Sequence, residues 1–139
     1  MIQITFEVPG SPVPKQRARR GRSGRWYTPQ ATRSYEAKVG WMAKAAGIHA
    51  PHDGPVGLKV RLWFPDRRRR DADNVVKAIM DALNGLAYSD DSQVIELFVS
   101  RQIDRQRPRA EVTVERISEC INGDGEIESY RGQTGIDRE

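Results

Sequence analysis

The sequence predicts an α+β domain, of mixed α/β character, in which one small mixed β-sheet carries about two helices mainly on one face. Three observations predict it. Four runs alternate apolar and polar residues with a period of two, two others repeat apolar residues at helical spacing, and their order is strand, loop, helix, strand, helix, strand, strand. At 139 residues the chain fits a single domain of roughly 150 residues.

The first run, IQITFEVPG, alternates Ile2, Ile4, Phe6 and Val8 and predicts a strand. SPVPKQRARRGRSGRWYTP follows, rich in Pro, Gly and Arg and without either period. It is expected to be a long loop, and long loops in compact domains either carry function or are disordered. A first helix is expected from Thr28 as N-cap and Pro29 at the first helical position to a stop at Gly47, with Tyr35, Val39, Met42 and Ala46 on one face. After the turn IHAPHDGP, the run VGLKVRLWF sets Val56, Leu58, Val60, Leu62 and Phe64 against Lys59, Arg61 and Trp63. This is a half-buried strand ended by Pro65. NVVKAIMDALNG repeats Val75, Val76, Ile79, Met80 and Leu83 at helical spacing, and Asn84-Gly85 closes that helix. SQVIELFVSRQI and AEVTVERI predict two last strands, paired as a hairpin around DRQRPR. The domain is expected to span residues 1–117. Residues 118–139 lose apolar periodicity and are expected to be an acidic, flexible tail.

Charge is distributed unevenly. Residues 118–139 hold six acids against Arg131 and Arg138, a net −4, so the overall +4 hides a body of residues 1–117 with 21 basic and 13 acidic side chains, a net +8. A body this basic points to nucleic acid or another polyanion as partner. No apolar run is long enough for a membrane span and the start lacks the layout of a secretory signal, which predicts a cytoplasmic protein with no membrane partner. Cys120 is the only cysteine, which excludes a disulfide framework and a cysteine zinc site. No P-loop occurs, so no nucleotide cofactor is expected.

The stretch RRRRDADN, residues 67–74, puts four arginines against two aspartates between a strand and a helix. In an extended link, Asp71 and Asp73 would point to the same side, where paired carboxylate oxygens could grip Mg²⁺. A third carboxylate is available in YSDDSQV, where a short loop is expected to return the next strand beside Asp71. Asp91 is favoured over Asp90 because it stands closer to the strand. Lys77, one helical turn after Asp73, can lie over the same site to contact the scissile phosphate, orient the attacking water or stabilise developing charge. Each residue also has a plainer role: Asp73 as an N-cap, Asp71 as a turn residue, Asp90-Asp91 as a solvated turn, Lys77 with Asp81 as a helix-surface pair. The conjunction is more specific than any member.

Arg67, Arg68, Arg69 and Arg70 are placed to carry a nucleic-acid backbone past the acids. Lys15, Arg17, Arg19, Arg20, Arg22 and Arg25 on the Gly-rich arm could hold a second duplex. His49 and His52 are weaker candidates for bases. Two other readings fit parts of the pattern: a non-catalytic basic DNA-binding module whose acids balance its arginines, and a transferase using D-x-D to hold a nucleotide-sugar diphosphate.

With PDRRRRDADNVVKAIMDALNG, DDSQVIEL and PGSPVPKQRAR in view, the chain resembles the RusA family of Holliday-junction resolvases over roughly residues 1–117. The resemblance implies a homodimeric endonuclease of bacterial, phage or prophage recombination and repair. It would depend on Mg²⁺, with Mn²⁺ able to substitute, and would nick two strands of like polarity symmetrically at four-way DNA junctions. It also implies an acidic, metal-holding site of Asp71, Asp73 and Asp91, with Lys77 required. The interface between the two copies is not set by the sequence: Tyr35, Val39, Met42 and Trp63 would serve as interface or as core.

Overall fold

The structure, a computed structural model, describes residues 3–121 and 127–130, with side chains through Ile117. Strand β1 (Gln3–Pro9) is followed by two short strands, β2 (Arg19–Arg20) and β3 (Trp26–Tyr27), and by helix α1 (Gln30–Ala45). Then come β4 (Val56–Phe64), α2 (Ala72–Leu83), a 3₁₀ turn at Asp91–Gln93, β5 (Val94–Ile103) and β6 (Arg109–Arg116). β7 (Ser118–Ile121) and β8 (Ile127–Tyr130) pair antiparallel, so part of the stretch expected to be a tail forms a hairpin. The rest of that stretch, residues 122–126 and 131–139, lies outside the described residues.

The main sheet runs β1-β6-β4-β5. β6 is antiparallel to both β1 and β4, while β4 and β5 are parallel. This is the mixed sheet that the alternation predicts, with one correction: β5 and β6 do not form a hairpin. β6 inserts between β1 and β4, which buries Ala110, Val112 and Val114, and leaves β5 on the sheet edge. A parallel neighbour requires a crossover connection, and α2 supplies it between β4 and β5.

The core lies on one face of the sheet. Phe6 and Val8 of β1, Val56, Leu58, Val60, Leu62 and Phe64 of β4, and the β6 trio meet Tyr35, Val39 and Ala43 of α1 and Val75, Val76, Ala78, Ile79 and Leu83 of α2. Tyr35 and Val39 therefore belong to the core and not to an interface. Met42 is half-buried and Ala46 exposed, with Ala43 taking the buried place expected for them. Trp63, on the opposite face of β4, is half-buried under the Arg109 guanidinium, 3.9 Å from its ring centre.

α1 starts one residue later than expected: Pro29 takes the N-cap position with extended backbone, and no side chain caps the helix. Gly47, at φ +111°, ends it as expected. α2 begins earlier, because Asp71 is already its N-cap.

Candidate active site and nucleic-acid surface

Asp71 has extended backbone and precedes α2, whereas Asp73 lies within the first helical turn. The expectation that both carboxylates share one side of an extended link is thus corrected. Two helical steps turn a side chain through about 200°, so residues two apart do not face each other. Both aspartates still stand at the head of α2, where the helix dipole favours negative charge. The Asp71 carboxylate accepts a hydrogen bond from Asn74 Nδ2 at 3.2 Å.

An open cleft of about 520 Å³ runs between α2 and the edge strand β5, lined by Ala72, Asp73, Val76, Lys77, Met80, Asp91, Leu97 and Val99. The structure thus brings Asp73, Lys77 and Asp91 to one cavity, while Asp71 is not among its lining residues. Lys77 follows Asp73 by one helical turn and takes part in none of the ion pairs among the described residues. Asp81, expected to pair with it, pairs with Lys15 instead.

Asp90 and Asp91 have different surroundings. Asp90 is exposed and its carboxylate accepts the Ser92 amide at 3.0 Å; hydrogen bonding from the Ser92 side chain, helped by that amide, holds it below the usual carboxylate pKa range. Gln93 Oε1 accepts the Asp90 amide in return, completing a capping box at the 3₁₀ turn. Asp91 is left to face the cleft.

The three acids nevertheless do not gather within one chain. The short loop was expected to return Asp91 beside Asp71, but α2 runs antiparallel to the strands it connects. Its head follows the Phe64 end of β4, and Asp91 precedes Val94, which pairs beside Val56 at the opposite end. From Asp73 to Met80 alone the helix rises about 10 Å. Accordingly, among the described residues no group of three or more His, Cys, Asp or Glu side chains could hold a metal ion. The head of α2 by itself offers two hard carboxylates, and Mg²⁺ is usually held by one or two plus substrate oxygens, so the donor chemistry there fits the ion.

Of the four consecutive arginines, Arg67, Arg68 and Arg69 are exposed beside the head of α2. Arg70 is instead a brace: its guanidinium donates to Asp66 Oδ1 at 2.7 Å and lies 5.1 Å from the Phe64 ring centre. The Arg70 hydrogen bond, helped by the Arg68 amide, holds the Asp66 carboxyl below its ordinary range. Arg101 was not singled out from the sequence. It shares the helix-facing side of β5 with Leu97 and Val99, lies 5.1 Å from the Phe64 ring centre, and donates to the Arg70 carbonyl at 2.9 Å. The period of two along β5 is the signal that places it there.

The arm between β1 and α1 is more ordered than a loop. β2 and β3 pair Arg19 with Tyr27 and Arg20 with Trp26. Arg17, Arg19, Arg20, Arg22 and Arg25 are exposed on or beside this hairpin. Lys15 departs from the expected role as a DNA contact, since its ammonium bridges Glu36 of α1 at 2.7 Å and Asp81 of α2 at 3.1 Å. Burial lowers its pKa, but the two carboxylates outweigh that and hold it above the ordinary lysine value. The Lys15 amide donates to the Asn74 carbonyl at 2.8 Å, which fastens the arm one residue from Asp73.

His49 is exposed, and neither it nor His52 lines the cleft. Among the described residues no helix is long and apolar enough to cross a membrane.

The model of the family "Endodeoxyribonuclease RusA" matches residues 9–115, and the chain belongs to that family. It is 32% identical to the crossover junction endodeoxyribonuclease RusA of Escherichia coli K12, over 74% of this chain and 87% of that protein. The enzyme of the same name from Enterobacteria phage 82 is 31% identical over the same shares. The Bacillus subtilis protein named "Uncharacterized protein YqaN" is 32% identical over 83% of this chain and 97% of its own length.

Proposed function

We propose that this protein is a Mg²⁺-dependent endonuclease that resolves four-way DNA junctions by paired, symmetric nicks, acting as a homodimer whose two sites each draw on both copies. The observation that carries the reading is the placement of Asp71 and Asp73 at the head of α2 beside exposed Arg67, Arg68 and Arg69. Membership of an endodeoxyribonuclease family supports it, as do relatives named for crossover junctions.

The dimer accounts for the separation of the acids. β5 is an edge strand of ten residues that exposes the apolar side chains Ile95, Leu97, Phe98, Val99 and Ile103 on its two faces, an edge that isolated proteins normally blunt. A second copy related by a two-fold axis runs its β5 antiparallel to this one, so the start of one strand meets the end of the other. Asp91 of one copy then approaches the Phe64 end of its neighbour, where Asp71 and Asp73 stand. Both faces of the contact would be the same patch, as closed two-fold symmetry requires.

In this arrangement Asp71 and Asp73 would hold the ion and Asp91 of the second copy would complete its carboxylate set, with Mn²⁺ able to substitute. When bound, the ion offsets phosphate charge and makes water easier to deprotonate. Arg67, Arg68 and Arg69 seat the DNA backbone by neutralising phosphates, Arg101 and Arg70 fix the segment that presents them, and Lys77 stabilises charge developing on the phosphate under attack. Water attacks the phosphorus directly and gives up a proton, the bond to one bridging sugar oxygen breaks and that oxygen leaves as a hydroxyl after taking up a proton, with no covalent enzyme intermediate and no nucleotide cofactor.

The test compares a synthetic four-way junction with linear duplex of the same sequence, with and without Mg²⁺, for the protein and its Asp73→Asn variant. The expected outcome is junction nicking only with Mg²⁺, and a variant that still binds junctions but does not nick them. Nicking by Asp73→Asn at the original rate would remove Asp73 from the mechanism.

A further inference from the structure

The arm hairpin has a feature that phosphate neutralisation does not use. From Val8 to Tyr27 the chain holds six cations and no acid. Directly opposed residues of an antiparallel pair project to the same face, so one face of the hairpin carries Arg20 with Trp26 and the other Arg19 with Tyr27. The Tyr27 ring rests against Gly21, where an added Cβ would stand 3.7 Å from it. Trp26 is 67% exposed.

The exposure is not that of a loose segment. The turn is closed by hydrogen bonds from Gly21 N to the Arg25 carbonyl at 2.8 Å and from Gly24 N to the Gly21 carbonyl at 3.0 Å, with Gly24 at φ +85°. Its root is fixed by the Lys15 contacts to both helices and by Gln16 N donating to Thr32 Oγ1 at 3.1 Å. A large indole held in water on a fixed support, in a stretch of chain that carries cations and no acid, matches a ligand that has both a flat π-face and negative charge. A nucleic acid has both, but in continuous duplex the base faces are covered by their neighbours. Only an unstacked or unpaired base offers the indole a free face.

We propose that Trp26 is a base-stacking residue, placing its indole against a nucleobase unstacked at the branch point of the DNA while Arg19, Arg20, Arg22 and Arg25 hold phosphates of the same strand. This rests on the junction-nicking reading and deepens it: the arginines of the arm add affinity for any DNA, and the indole adds preference for branched over linear DNA. Stacking of one base on an aromatic side chain is large enough to set such a preference.

The experiment measures binding to a four-way junction and to linear duplex, with chelator present to prevent nicking, for the protein and for Trp26→Ala, Trp26→Phe and Trp41→Ala. Trp41, 76% exposed on α1, is the control for loss of a surface indole. Trp26→Ala is expected to weaken junction binding about 10-fold, equivalent to about 1.4 kcal/mol of stacking, and to leave duplex binding unchanged. Trp26→Phe should keep most of the preference and Trp41→Ala all of it. Intrinsic tryptophan fluorescence should be quenched by junction but not by duplex, and the quench should vanish in Trp26→Ala and Trp26→Phe while persisting in Trp41→Ala. Equal weakening on both DNAs, or no weakening at all, overturns the stacking role while the nicking assay still stands. A wild-type protein that neither binds nor nicks junctions would sink the functional reading with it.

Discussion

If each site draws Asp91 from a second copy, two inactive variants should complement each other. Asp73→Asn and Asp91→Asn are each expected to lower nicking at least about 100-fold, the loss that several kcal/mol of charge stabilisation implies. Mixed and allowed to exchange subunits, they form heterodimers in which one site combines an intact Asp73 with an intact Asp91, while the other carries both substitutions. Random exchange makes about half of all dimers mixed, each with one working site of two, so nicking should recover to about a quarter of the wild-type level. The product should be a single nick and not a resolved junction, because each working dimer cuts only one strand. The assay is end-labelled junction cleavage read on denaturing and native gels, with tagged subunits co-purified to prove exchange. No recovery in a mixture shown to contain heterodimers would refute the shared site, and with it the account of why Asp73 and Asp91 stand at opposite ends of the α2 crossover.

Three further outcomes follow from contacts in the structure. Asp90→Ala removes the acceptor for the Ser92 amide, so it should lower the denaturation midpoint slightly and leave the nicking rate near wild type. Lys77→Ala should slow nicking by 10-fold or more with little change in junction affinity; an equal loss in both would reassign Lys77 to plain phosphate contact. The Asp66 carboxyl is held below its ordinary pKa by Arg70, so the order it gives to the arginine segment is present above the unfolded carboxylate pKa of about 3.9 and is lost as pH falls through the lower folded value. Hydrogen exchange at the Arg68 amide should therefore accelerate beyond its intrinsic trend only below about pH 4, and Asp66→Asn should abolish that transition.

Much of this protein was legible in the sequence. The alternation of Val56 to Phe64 marked the central strand, and the spacing of Val75 to Leu83 marked the crossover helix. These are local matters: periodicity of side-chain direction and the capping preferences of a few residues are set within a turn or two of chain. The D-x-D-N block, the arginines and the D-D pair, taken together, also sufficed to indicate the family.

Other features depended on contacts far apart in sequence. That β6 slips between β1 and β4 rather than pairing with β5 is decided by which apolar faces bury best, and it leaves β5 bare as an edge. Lys15 reads as one more arm cation, yet the approach of Glu36 and Asp81 from two helices turns it into a structural clamp. The separation of Asp91 from the head of α2 follows from the direction in which a crossover helix must run to join parallel strands. Side-chain chemistry is written residue by residue, but the distance between two carboxylates is a property of how the elements pack, and here that packing sets Asp91 at the opposite end of α2 from its head.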